Sequence, residues 1–574
     1  MSCVASETPS FCYSGPLNNE DVCQAISTFR CIVQSCYGPF GRLKLIHNAM
    51  GGYVQTTSQS SALLRSVSVS HPVVKWLITS VSRHVSQFSD SGLFTAVLCC
   101  NLIEKAKRCN ITGSRIVRIQ SHLLNMCIDY LNSEECSCRI QIDFSHSKAL
   151  LSLVRTVITS KPTCMLTVKE ADYVSSLILK AFLHTVPSVI GEDVSLGQTL
   201  IVSAEGQRVS DSRVFPGLLI QISISHSRTI QFAKRTLGPF KVALFDVSMS
   251  GEVVDSGIGT WVVESGSCLE DWSLTQLMRV GKQLARDQVG LVLCQKVIHP
   301  ILKQYLWEQD VMVEDRLGAA LVEPLTKMTG AESISSYQRS IPANCYGKLK
   351  SWCVVKFGSK QFLHLIPVDD SPVCSLLLCN RSEAGLNELK VVCQTAEHVL
   401  RLTLKQPLGL LGGGCTEAHL TTYVRHKSCC VPDDALAELG CSRAQYRVVA
   451  DCFCRSLDHT TSCLEHDGGE SLVDSEYGHR WSVPLQTPLG TDWSQVVSNC
   501  ACGLHGSHQD LLWTLLRNRS EVVNKGMGSA KPCTGVLPDR FLLDSFPVKL
   551  NALQVAVETA NVILQLQYVI QAHN

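Results

Sequence analysis

The stretch Leu410-Leu411-Gly412-Gly413-Gly414-Cys415-Thr416-Glu417 puts three consecutive glycines between an apolar run and a segment patterned as helix from Cys415 to Tyr423. Residues without a side chain let the backbone take angles barred to others, or pass at contact distance from another group. At a helix start the free N–H groups and the positive end of the helix dipole favour an anion such as phosphate. A crossing of two backbones would use the same glycines, and the triplet alone does not choose between the two.

The chain has 574 residues, enough for ~3 to 4 domains. A hydrophobic fraction of 45% with 18% charged residues describes a folded chain with ample core. Lys+Arg 51 against Asp+Glu 50 leaves almost no net charge, and no dense basic run supplies one locally. That argues against a nucleic-acid or membrane-surface binder, which needs a basic excess. No run approaches the ~18 to 20 apolar residues of a membrane span. Residues Met1 to Ser10 have neither the basic region nor the apolar core of a secretion signal. The 29 cysteines are therefore expected to be reduced, mostly buried thiols of a soluble intracellular protein. The pairs Cys99–Cys100, Cys136/Cys138, Cys429–Cys430, Cys452/Cys454 and Cys500/Cys502 are adjacent or one apart. Structural zinc prefers C-x2–4-C knuckles, so no metal site is expected. His466-Asp467-Gly468-Gly469-Glu470 looks metal-like, but Asp-Gly-Gly is a turn signal.

In chain order, residues 1 to ~18 are polar and proline-bearing, a loose tail. Helical patterning runs from Asp21 to Cys36, and Tyr37-Gly38-Pro39-Phe40-Gly41-Arg42 is a turn-rich loop. Gly51-Gly52 mark a turn between β-prone pieces, and His71-Pro72 starts a helix with proline in its first turn. Ser89-Asp90-Ser91-Gly92 opens onto Leu93 to Ala106, apolar on nearly every side as a core helix should be. Asp90 could cap that helix or hold magnesium beside a phosphate. From Gly197 strands and helices alternate: Lys241 to Ser248, Leu274 to Ala285, Leu291 to Cys294, His299 to Trp307, Val311 to Val313, and a helix ending at Gly330. This reads as an α/β domain with a mostly parallel sheet, followed by antiparallel-looking strands at Leu349 to Phe357, Gln361 to Pro367 and Val373 to Leu378. Past Gly385 the pattern is helical, residues ~455 to 540 are rich in Gly, Ser, Asp and Pro with no clear structure, and Leu553 to Leu564 form an amphipathic helix. A helical domain from both chain ends thus carries an inserted α/β domain.

That nested order and several phrases resemble the group II chaperonins. Gly38-Pro39-Phe40-Gly41 resembles the family's G-P-x-G loop, His71-Pro72-Val73-Val74-Lys75 its H-P-A-A-K, and Ser160-Lys161 its S-S-K. Val214-Phe215-Pro216-Gly217 resembles the start of the apical domain, and Val292-Leu293-Cys294-Gln295-Lys296 the apical V-L-C-Q-K. Gly412-Gly413-Gly414-Cys415-Thr416-Glu417 resembles G-G-G-A-x-E, and Ala556-Val557-Glu558-Thr559-Ala560 the final helix. Ser35-Cys36-Tyr37-Gly38-Pro39, Thr56 to Leu64 and Leu464 to Glu470 are similar to the divergent Bardet–Biedl chaperonin-like branch. The resemblance implies a group II chaperonin architecture, α/β and mainly helical. Residues 1–140 and 396–574 would be equatorial, 141–211 and 369–395 intermediate, and 212–368 apical and substrate-binding.

The resemblance also implies an ATP/Mg site, with Gly38, Pro39, Gly41, Asp90, Gly412, Gly413 and Gly414 as nucleotide-binding residues, but the catalytic positions depart from it. T-N-D-G-A-T falls on Thr57-Ser58-Gln59-Ser60-Ser61-Ala62, so Gln59 replaces an Asp. G-D-G-T-T falls on Ser89-Asp90-Ser91-Gly92-Leu93, with Phe94 next: the Asp survives and the hydroxyls do not. The third Asp, seventeen residues before the triplet, falls on Thr395. Phosphoryl transfer depends on such positioned charge, and each acid–base group supplies ~10^2 to 10^4 in rate. Loss of ATP hydrolysis is expected, so the chain is expected not to be an enzyme; nucleotide binding stays open. The implied partners are other chaperonin-like proteins, cytosolic chaperonin subunits and BBSome-type clients, and the implied location is the cytoplasm and the centrosome or basal body. Val253, Val254, Ile258, Trp261, Val262 and Val263, at the place of the family's lid protrusion, are candidate client contacts. A weak ATP-hydrolysing subunit and a stand-alone centrosomal scaffold are the alternatives.

Overall fold

The structure is a computed structural model that describes residues 11–47, 54–187, 196–222, 239–251, 269–337, 339–466, 469–484, 486–488, 491–508, 511–518 and 538–571. The chain divides into two compact units, one of Met1–Ser175 with Asn387–Asn574, the other of Ser176–Leu386.

The first unit is organised on the helix Gly92–Lys107, in which every residue from Gly92 to Ile103 is buried. A helix with no polar face must be surrounded, and the helices Glu20–Gln34, Pro72–Phe88, Arg443–Ser462 and Phe546–Gln565 pack around it. Leu98 and Leu102 are almost fully enclosed, each worth ~1.5–3 kcal/mol relative to exposure. The flanking helices begin where the chain supplies caps. His71 accepts from the Val73 N–H with Pro72 in the first turn, and Ser442 with Gln445 forms a capping box. Leu408–Leu411, leading into the glycine triplet, is the central strand of a three-stranded sheet with Arg139–Gln141 and Leu543–Ser545. The chain ends meet as well: Phe11–Ser14 pairs antiparallel with Tyr568–Gln571.

The region 455–540, unreadable in the sequence, contains the end of the helix Arg443–Ser462 and a small sheet of Ser471–Asp474, Arg480–Ser482 and Trp513–Leu515. Strands of three or four residues carry too little periodicity to show as a pattern. Here they are held by one large side chain: Trp481 is fully buried, donates from Nε1 to Asp474 Oδ2 at 2.7 Å and meets Trp513 edge-on.

In the second unit Met312–Glu314, Val289–Cys294, Phe240–Phe245 and Ser333–Ile334 lie side by side in parallel, with Gly347–Leu349 antiparallel to Phe240–Phe245. This is the sheet that the strand–helix alternation called for. The strand Ser351–Phe357 pairs antiparallel with Lys360–Ile366, and that with Leu218–Ile222. Val373–Asn380 differs from expectation: it pairs in parallel with Gln198–Glu205 and antiparallel with Arg213–Pro216. Its run, apolar except for Ser375 and buried from Val373 to Cys379, fits a central strand covered on both faces. The expected client contacts Val253, Val254, Ile258, Trp261, Val262 and Val263, the Gly51-Gly52 turn, and Asp467 and Gly468 lie outside the described residues.

Candidate functional site

The first unit holds a cavity of about 280 Å³. Four segments that the sequence singled out separately converge on its wall. They are Gly38 and Pro39, the Asp90-Ser91-Gly92-Leu93-Phe94 turn, Ser160 and Lys161, and Gly413 and Gly414. Gly41 and Gly412 are not in the wall. A side chain on Gly41 would strike the Cys36 carbonyl oxygen at 2.3 Å, and one on Gly412 would lie 3.0 Å from Leu542. Gly413 and Gly414 both have positive φ (67° and 83°), and added Cβ atoms would sit 2.6 Å from the Ala501 carbonyl oxygen and 2.8 Å from Thr461. The triplet therefore has the close passage weighed for it, and two of its glycines also line the cavity. It crosses another backbone at Ala501, and it leaves an open wall at a helix start.

The Asp90 turn is held from behind. His84 bridges the Asp90 carbonyl oxygen (3.0 Å) and Asn551 Oδ1 (2.8 Å), and Ser89 Oγ pairs with His398 Nδ1 at 2.8 Å. Ser89 and Ser91 have φ of 62° and 59°, a left-handed conformation that costs a non-glycine residue roughly 1–2 kcal/mol. The Ser91 carbonyl recovers part of that by accepting from both the backbone and the hydroxyl of Thr95, at 3.0 and 2.9 Å.

Charges in the wall are already matched. Among its described residues the acids are Asp90, Glu465 and Asp544 and the cations Lys161, Arg480 and Lys549. Lys161 Nζ lies 3.3 Å from Asp90 Oδ1, Arg480 pairs with Glu465, and Lys549 Nζ lies 3.1 Å from Asp544 Oδ2. Burial pushes the Asp90 carboxyl up, but Lys161, the Ser91 N–H and Lys549 pull it the other way and the net shift is downward, so Asp90 is a carboxylate. Lys549 also contacts the buried Glu417 and rests 4.0 Å above the Phe94 ring. Burial opposes its charge, yet Asp544 and Glu417 outweigh that and hold the ammonium protonated well above the ordinary lysine range.

The sequence profile described as the TCP-1/cpn60 chaperonin family matches residues 30–472. The Molecular chaperone MKKS of Homo sapiens is 50% identical over 582 residues, covering 100% of both chains. This chain belongs to the TCP-1/cpn60 chaperonin family. The Mus musculus protein of the same name is 47% identical over the full length of both chains. Thermosome subunit alpha of Saccharolobus solfataricus is 23% identical over 70% of this chain and 72% of its own.

Set against the chaperonin motifs, the serines at 89 and 91 occupy the two glycine positions of G-D-G, and both have positive φ. Gly92 and Leu93, in place of hydroxyls, and the next residue Phe94 are themselves in the cavity wall, with Leu93 5% and Phe94 3% exposed. Gln59 and Thr395 are outside the wall. Gln59 donates from Nε2 to the Glu388 carbonyl oxygen at 3.2 Å, and Thr395 donates its hydroxyl to Val391 one turn back at 3.0 Å. Several residues of the site were missed by sequence reasoning. Lys161 was read only as part of a motif, and Lys549, Glu417, Asp544, Glu465 and Arg480 not as ionic partners. Glu388, which Thr57 and Gln59 help to hold and whose carboxyl burial pushes upward, was also missed. The one signal available was that Lys549 is a cation in the first turn of the helix Phe546–Gln565, where the dipole disfavours it and a carboxylate must compensate.

Proposed function

We propose that this chain is a chaperonin-like folding and assembly factor that does not hydrolyse ATP. The observation that supports it is the self-neutralised cavity: Asp90, the one acid kept from the chaperonin catalytic set, is ion-paired to Lys161, and Gly92 and Leu93 stand at the positions of the phosphate-contacting hydroxyls, with the next residue, Phe94, under the Lys549 ammonium. A triphosphate brings about four negative charges, and no wall cation is spare to meet them. With Gln59 and Thr395 neutral, two of the three carboxylates that would hold Mg2+ and orient water are missing. Gly413 and Gly414 still offer an open wall, so nucleotide binding without turnover is compatible with this reading.

In this proposal the segment 212–368 binds client proteins, and the equatorial segments 1–140 and 396–574 contact other chaperonin-like proteins and cytosolic chaperonin subunits. The full-length similarity to a protein named as a molecular chaperone supports the folding role. Assistance to a BBSome-type complex, at the centrosome or basal body as well as in the cytoplasm, is the specific task proposed. Among the described residues no helix is long and apolar enough to cross a membrane.

Phosphate release by the purified chain tests the first part. No rate above buffer is expected, and none that changes with Asp90→Ala; ATP turnover abolished by Asp90→Ala would overturn it. Affinity capture followed by size measurement tests the second. Large mixed complexes with chaperonin subunits are expected, whereas a monomer bound only to centrosomal proteins would favour a scaffold.

A further inference from the structure

Directly behind the cavity wall lies a second constellation. Cys415, His479, Cys500 and Cys502 are all buried, and one ligand atom from each falls within 4.8 Å of those of the other three. They come from three places in the chain. Cys415 opens the helix Cys415–Cys429, His479 stands just before the strand Arg480–Ser482, and Cys500 and Cys502 lie on a loop pinned by the Asn499–Gly506 bridge. Cys500 and Cys502 Sγ are 3.1 Å apart, and Cys502 Sγ is 3.8 Å from His479 Nδ1. Of these four ligands, close chain spacing joins only Cys500 and Cys502; the other two arrive through the fold.

We propose that Cys415, His479, Cys500 and Cys502 form a mononuclear structural zinc site. Zn–S bonds of ~2.3 Å and Zn–N bonds of ~2.0–2.1 Å place tetrahedral ligand atoms about 3.5–3.8 Å apart, so a pair at the 4.8 Å limit of the cluster has to close by about 1 Å to hold an ion. Three thiolates and one imidazole are a soft donor set that suits zinc and is foreign to magnesium or calcium. An iron–sulfur cluster holds its ligands off several bridged irons and needs a wider cage. Cys415 is the first residue of its helix, and the His505 N–H points at Cys500 Sγ at 3.3 Å. Binding releases the three thiol protons to solvent, leaving a site of net charge −1.

The position of the site gives it a role. Each ligand neighbours a wall residue in sequence: Cys415 follows Gly414, His479 precedes Arg480, and Cys500 and Cys502 flank Ala501. A single ion would tie these three wall segments together from behind, which ordinary packing of a three-residue strand and an irregular loop does weakly.

The test uses the full-length chain, purified under reducing conditions, treated with equimolar Zn2+ and passed through gel filtration. About one zinc per chain is expected by elemental analysis, and substitution with Co2+ should give thiolate-to-cobalt charge-transfer and tetrahedral d–d bands. Cys500→Ser with Cys502→Ser should lose the metal and the bands, and His479→Ala should weaken both. His479→Cys should keep the ion with a shifted spectrum, which separates ligation from mere folding. Cys136→Ser with Cys138→Ser is the control, because that buried pair, 3.2 Å apart, belongs to no such cluster among the described residues. Zinc below about a tenth per chain in the wild type, equal loss in the control, or a Cys500–Cys502 disulfide in the reduced-purified chain would overturn the proposal.

Discussion

Replacing Lys549 with methionine should loosen the first unit in a pH-dependent way. Methionine fills a similar volume and can lie on the Phe94 ring, so packing is largely kept while the charge is lost. What remains is Glu417, 2% exposed, and Asp544, both without their cation. Among the described residues this ammonium is the cation that meets Glu417 Oε1. At 3.1 Å the attraction to Asp544 alone is about 5 kcal/mol at an effective dielectric of ~20. Removing one partner of a buried pair costs ~3–5 kcal/mol, so about 4 kcal/mol is expected near pH 7. Lys549's own pKa is raised in the folded state, so its contribution is fully present below the unfolded lysine value and is lost only as pH rises through the folded one. Between pH 5 and 8 the wild type therefore keeps all of it. In the variant the penalty comes from ionised carboxylates. Burial already raises the Asp544 carboxyl, and loss of the lysine raises it further, so the penalty fades as the pH falls. Hydrogen exchange of the helix Phe546–Gln565, read by mass spectrometry, should be about a thousandfold faster at pH 7, as one decade is ~1.4 kcal/mol, with a smaller deficit at pH 5. The triple variant with Glu417→Gln and Asp544→Asn should recover most of the protection. Equal deficits at both pH values, or none, would refute the reasoning.

Gly413→Ala combines a φ of 67° with a 2.6 Å approach to the Ala501 carbonyl and should destabilise the first unit by about 2 kcal/mol or more, seen as a lower unfolding temperature; an unchanged midpoint contradicts the crossing. His459, with Nδ1 2.8 Å from Asn101 Oδ1, is pushed down to about 4 by burial, then by Lys105 and Arg30. The unfolded chain binds that proton near pH 6.5, so stability should fall as pH drops from 6.5 toward 4, by up to about 3 kcal/mol. Imidazole NMR shifts of His459 that move near pH 6.5 would contradict this.

What the sequence showed and hid follows from range. The helix Gly92–Lys107 was legible because its apolar residues lie next to one another, and the α/β alternation because each strand of the parallel sheet is followed by its own crossover. The glycine triplet was legible as a close passage, though not what it passes. Asp90 and Lys161 stand 71 positions apart, and Lys549 finds Glu417 from the last helix; no local pattern announces either pair. The metal-ligand cluster was hidden for the same reason, since short-range spacing rules see only Cys500 and Cys502. Short strands around Trp481 were lost in a Gly- and Ser-rich text.

The pairing of the helices Gly92–Lys107 and Phe546–Gln565 has a consequence for biosynthesis. The first 175 residues contribute a helix with no polar face, and its covering partner is among the last to be made. At ~5–20 residues per second the ribosome needs roughly 20–75 s to get from residue 175 to residue 546. Throughout that interval the side chains of Leu93 to Ile103 have no finished shelter, while the contiguous unit Ser176–Leu386 can close on its own as it emerges. A chaperonin-family chain built this way is itself an obligate candidate for holding during translation, and a nascent chain stalled before residue 546 should be the species that folding factors retain.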